Sequence, residues 1–176
     1  DEVTDVAGGV LADGNDLYVA VAPDLWHMKD KDGDGITDEK TSLSHGYGVH
    51  VGFSGHGMSG VEMGPDGKIY WQIGDIGFNG QSADGQKWEY PNSGVLARAN
   101  PDGSDFEVFA AGIRNTHEFA FDEYGNIISE DNDGDHAGEG RDVEQEIIHD
   151  AVLEREKYGQ RRCSENEKPV ADEQHI

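Results

Sequence analysis

The chain has 176 residues, 35% of them hydrophobic, and no run approaches the roughly 20 apolar residues that a spanning helix needs, so membrane insertion is not expected. Its 37 acidic side chains outnumber 13 basic ones, a formal charge of −24 that repels nucleic acid and anionic lipid and attracts cations. The single cysteine, Cys163, excludes an internal disulfide and a thiolate metal cluster.

Taken in chain order, the first element is a turn at Asp13-Gly14-Asn15-Asp16 leading into the aromatic-containing strand Leu17-Tyr18-Val19-Ala20-Val21. An acidic loop, Asp30-Lys31-Asp32-Gly33-Asp34-Gly35-Ile36-Thr37-Asp38, comes next. The stretch from Gly55-His56 to Gly74-Asp75 then reads as loop, strand, tight turn, strand, loop. Its turn is Pro65-Asp66-Gly67-Lys68, where proline presets φ and glycine accepts the left-handed position. Ser93–Ala99 and Asp105–Ala110 read as a further hairpin joined by Asn100-Pro101-Asp102-Gly103-Ser104. Phe119-Ala120-Phe121 and Ile127-Ile128-Ser129, around a turn at Gly125, repeat the phrase again.

Leu17, Ile69 and Ile127 occupy equivalent places in this phrase and lie 52 and 58 residues apart. Periods of about 50 residues made of short strands and Asp-Gly turns predict β-propeller blades in an all-β chain. Residues 1–147 then hold about three blades, where closed propellers have about four to eight, so the expectation is a piece of a larger propeller. The missing blades would come from further sequence or from self-association. Residues 148–176 read as a polar tail. A helix is expected near Glu144–Glu154, followed by disorder. Cys163 beside Arg161 and Arg162 has no base next to it in the sequence.

An antiparallel hairpin brings its two ends together, so His56 and Asp75 are expected to face one another at one sheet edge. An imidazole beside a carboxylate suits a general base; a histidine holding a loop has the same signature. Arg114-Asn115, at the entrance to an apolar strand, can grip an anionic or carbonyl-rich ligand or can satisfy loop carbonyls. Asp30, Asp32, Asp34 and Asp38 alternate at a spacing that suits calcium, which takes about 6–8 hard oxygen ligands. Thr41 stands at the twelfth position where an EF-hand has glutamate, so the expected form is a short calcium loop of the repeat-protein type rather than helix-loop-helix. A solvated acidic turn is the other reading. Asp131, Asn132, Asp133 and Asp135, followed by Glu139 and Asp142, read as a second calcium loop or as a solvated segment. His27 and His136 adjoin these loops as surface histidines, and His45 and His50 lie where they can face one pocket.

Three of these blocks resemble the soluble quinoprotein glucose/aldose dehydrogenases, six-bladed β-propellers that use pyrroloquinoline quinone (PQQ) and calcium. The look is nearest to the large propeller dehydrogenase-like proteins of environmental bacteria. The blocks are Gly55-His56 through Ile73-Gly74-Asp75, Gly112-Ile113-Arg114-Asn115, and Ser129-Glu130-Asp131-Asn132-Asp133. The resemblance implies a general base at His56 supported by Asp75, and quinone contacts at Arg114 and Asn115. It further implies that the loop of Asp131 and Asn132 holds the quinone-bound calcium. The implied reaction is hydride transfer from a sugar or alcohol hydroxyl, in the periplasm or outside the cell. Ile113 and Thr116 depart from the histidine and proline that usually flank the Arg-Asn pair, and Gly80-Gln81 replace an expected glutamine. A non-enzymatic, calcium-stabilised propeller module binding glycan or protein needs only the acidic loops and exposed blade loops.

Overall fold

In a computed structural model the described residues are 7–50, 55–82 and 85–131. All regular structure among them is β. Strands β1 (Gly9–Asp13), β2 (Asp16–Val21), β3 (Asp24–Lys29) and β4 (Glu39–His45) form one antiparallel sheet in sequence order. Strands β5 (Met58–Met63), β6 (Ile69–Ile73), β9 (Gly94–Ala99) and β10 (Glu107–Ile113) form a second, ordered β10-β9-β6-β5. Between β6 and β9 the chain inserts a hairpin, β7 (Phe78–Gln81) and β8 (Lys87–Tyr90). A last hairpin pairs β11 (Phe119–Phe121) with β12 (Ile127–Ser129). The repeated hairpins of the sequence correspond to β1-β2, β5-β6, β9-β10 and β11-β12. Strands β3, β4, β7 and β8 lie outside the repeated phrase; β3 pairs with β2, β4 with β3, and β7 and β8 with each other.

The second sheet is central because its middle strands are buried on both faces. Every residue of β6 and β9 is buried, and strand alternation divides them cleanly. Ile69, Trp71, Ile73, Val95, Ala97 and Ala99 join Tyr18, Ala20 and Leu25 of the first sheet in one apolar core. Tyr70 and Leu96 point the other way, into a second cluster with Phe119 and Ile127 of the last hairpin. Burying each large apolar side chain contributes about 1.5–3 kcal/mol, so the first face dominates stability.

Glycine permits the approach of the two large sheets. A Cβ on Gly8 would meet the Met58 carbonyl oxygen at 1.9 Å, and one on Gly9 would meet Gly60 N at 2.9 Å. The inserted hairpin adds a second tie. Asn79 N donates to Gly46 O (2.9 Å), Gly48 N donates to Gly77 O (2.8 Å), and Tyr47 stacks on Phe78 with centroids 4.5 Å apart. Tyr47 OH accepts from Trp71 Nε1 (2.7 Å), and burial pushes its phenol well above the usual range, so it stays neutral.

Candidate functional site

The site forms where three loops meet at one end of the central sheet. The β5-β6 hairpin closes the distance between its flanks: His56 Nδ1 and Asp75 Oδ1 lie 2.7 Å apart, and Gly74 N donates to His56 O at 3.2 Å. The loop after β10 is sewn to the same place, since Asp75 N donates to Arg114 O at 2.7 Å. Gly74 sits where these strands crowd, and a Cβ there would meet Arg114 O at 2.8 Å and His56 O at 2.9 Å. Asp131, just after β12, completes the assembly. Its Oδ2 accepts from Arg114 N (2.9 Å) and its Oδ1 from Asn115 N (2.7 Å).

His56, Asp75, Arg114, Asn115 and Asp131 are therefore brought together by sheet pairing and loop hydrogen bonds. The His56 side chain is 16% exposed and that of Asp75 39%, so the pair sits at a partly shielded surface. Because Nδ1 faces a carboxylate oxygen, the neutral ring is held as the Nδ1–H tautomer and the basic lone pair lies on Nε2. That is the arrangement a base needs: a proton acceptor on one side, a fixed anion behind it to stabilise the imidazolium. Asn115 is buried; its Nδ2 lies 3.2 Å from His117 Nε2, and its Oδ1 is buried with no hydrogen bond among the described residues. Thr116, also buried, donates through Oγ1 to Gln72 Oε1, while Ser59 Oγ donates to Thr116 O at 3.2 Å.

Sequence reasoning missed His117, Thr116 and Gln72 as members of this corner. Gln72 was hidden inside an apolar strand, where a polar side chain on the outward register signals a buried partner. His117 carries one signal, its place two residues past the Arg-Asn pair.

The acidic loop between β3 and β4 lies apart from this corner. Carboxylate oxygens of Asp30, Asp32 and Asp38 come within 4.8 Å of one another. Asp34 stands outside that trio, and its Oδ1 instead accepts from Ile36 N at 2.8 Å. Asp30 accepts from Gly33 N (2.7 Å) and Gly35 N (2.8 Å), and those two amides hold its carboxyl below the usual range, that of Gly35 most strongly. Hard oxygen donors at this separation fit a calcium ion. His27 belongs to neither site: its Nε2 lies 2.6 Å from Asp16 Oδ1 and its ring stacks on Tyr18. His45 is bound through Nδ1 to Asp24 Oδ1 (2.9 Å), and His50 enters a backbone bond to Ile76 O. His45 also lines an open cleft of about 400 Å³ with Asn79, Gln81, Lys87, Trp88 and Glu89. Asn132, Asp133, Asp135, His136, Glu139, Asp142 and the tail with its expected helix and Cys163 lie outside the described residues.

A family model described as "Domain of unknown function (DUF7133)" matches residues 2–175. A search of the curated proteins finds no match. The chain belongs to the DUF7133 family.

Proposed function

We propose that this chain supplies the base-bearing part of a β-propeller dehydrogenase that oxidises a hydroxyl of a sugar or alcohol with PQQ and calcium. The observation that carries this reading is the His56–Asp75 pair at 2.7 Å, pinned to the Arg114-Asn115 loop through Arg114 O. Two four-stranded antiparallel sheets stacked face to face, followed by a hairpin on the far face, support the propeller architecture. In this reading further blades come from additional sequence or from copies of the chain.

The donor set suits the implied groups. The loop pinned to Asp75 carries a guanidinium on Arg114 and an amide on Asn115, residue types that fit a polar, anionic cofactor, and the unmatched buried Oδ1 of Asn115 leaves a polar atom to be satisfied there. Asp30, Asp32 and Asp38 would hold a calcium ion in the β3-β4 loop. When bound, the quinone would accept the hydride, and a calcium ion bound to it, separate from one in the β3-β4 loop, would polarise its carbonyl. The chain's own part is proton chemistry: His56 Nε2 takes the hydroxyl proton, and Asp75 steadies the charge that forms on the ring. Positioned bases of this kind contribute about 10²–10⁴-fold to rate.

Thermal unfolding with EDTA, with calcium, and with calcium plus PQQ tests the reading. A quinone-specific rise above the calcium-only melt is expected, and in a protein that turns over, His56→Gln should cut dye-linked sugar oxidation by about a hundredfold or more with quinone binding intact. Wild-type turnover in that variant would remove His56 from the base role. A rise with calcium alone would favour the calcium-stabilised binding module, a reading the Asp30–Asp32–Asp38 cluster supports independently.

A further inference from the structure

The loop that carries Arg114 and Asn115 leaves β10 with consecutive backbone N–H groups that have no strand to pair with. One carboxylate takes both: Asp131 Oδ2 accepts from Arg114 N at 2.9 Å and Oδ1 from Asn115 N at 2.7 Å. The carbonyl of the same Arg114 accepts from Asp75 N at 2.7 Å, and the side chain of Asp75 meets His56 Nδ1 at 2.7 Å. A continuous chain of short hydrogen bonds thus runs from Asp131, through one peptide loop, to the carboxylate that orients the imidazole.

We propose that Asp131 is a positioning residue: it clamps the Arg114-Asn115 backbone and thereby fixes Asp75 behind His56. Both of its oxygens carry a backbone bond, so its work is geometric. A carboxylate is suited to it, because two adjacent N–H donors pointing one way need two acceptor atoms on one rigid plane, and an ionised acceptor makes the stronger bonds. The asparagine isostere keeps the shape but turns one acceptor into a donor aimed at an N–H. Small displacements of an orienting group matter, since a base displaced by about 1 Å can lose about a hundredfold in rate. This assignment rests on His56 and Asp75 being the working pair, and it gives the loop after β12 a structural duty in the site.

The test uses the full chain, labelled with ¹⁵N, as wild type, Asp131→Asn and Asp75→Asn. Backbone amides of Arg114 and Asn115 should be protected from hydrogen exchange in the wild type although they lie in a loop. In Asp131→Asn they should exchange about tenfold faster or more, while amides of β6 and β9 keep their wild-type rates. The His56 ring titration, followed through its nitrogen resonances, should shift in Asp131→Asn in the same direction as in Asp75→Asn and by less. Unchanged amide protection, or a His56 curve that overlays the wild type, would overturn the proposal. So would unprotected amides in the wild type, a measurement that needs no variant to fold. Neither readout requires the quinone. Failed quinone binding would sink the dehydrogenase reading and leave the Asp131 result standing.

Discussion

The two faces of the central sheet are built from the same two strands and follow opposite rules. Toward the first sheet, β6 and β9 present Ile69, Trp71, Ile73, Val95, Ala97 and Ala99, and cohesion there comes from apolar area and close packing. Toward the last hairpin the same strands present Tyr70, Gln72 and Arg98 beside Leu96, and cohesion there depends on matched polar partners. Arg98 Nη1 donates to Tyr70 OH at 2.8 Å, Tyr70 OH donates to Asp66 Oδ2 at 2.9 Å, and Arg98 Nε is paired with Glu107. An apolar face tolerates small slides between its surfaces, whereas a hydrogen-bonded face fixes one register. The site lies at the edge of the second kind of face, where Thr116 and Gln72 lock the loop of Asn115 to the sheet.

Breaking the apolar face should have the largest effect. Trp71→Ala removes a fully buried indole and the donor to Tyr47, and should cost about 3–5 kcal/mol in urea unfolding. A cost under about 1 kcal/mol would mean that the two sheets do not share a core. On the polar face, Arg98→Met takes the Arg98 cation from Asp66 and leaves Glu107 with Lys68, whose Nζ lies 3.8 Å away. The expected cost is about 2–3 kcal/mol, below the range for a fully buried pair because Glu107 remains 39% exposed. Near-neutral behaviour would show that the network contributes register and little stability. The smallest effect is expected of Thr116→Val, which strands Gln72 Oε1. About 1–2 kcal/mol should be lost, with the exchange of amides around Asn115 quickened and those of β2 and β3 unchanged. Equal quickening in β2 and β3 would erase the distinction between the faces.

Much of this was legible from residue order alone. The β-prone run Lys68–Ile73 and the Pro65-Asp66-Gly67 turn define a hairpin whose ends must meet, and with it the pairing of His56 and Asp75. The alternating aspartates of the β3-β4 loop announce themselves by spacing, although Asp34 turns its oxygen to Ile36 while the other three converge. What spacing could not convey was anything decided by contacts between distant segments. Asp131 reads as one acidic residue among several, and only its two backbone donors, 17 and 16 residues earlier, distinguish it. Strands β7 and β8 make a short local hairpin, and what a window of local sequence does not contain is their tie to Gly46-Tyr47.

The glycines at the head of β1 carry a consequence for how this surface can vary. At Gly8 two sheets touch main chain to main chain, with no side chain between them to yield, and at Gly9 the backbone of Gly60 and Val61 stands behind the Val61 side chain. A single added methyl group would act there as a wedge, prising the sheets apart at the start of β5. Random substitution across the chain should therefore find a silent stretch of sequence space at these two positions, invariant for mechanical reasons, beside a freely drifting neighbour at Val10, which is 59% exposed.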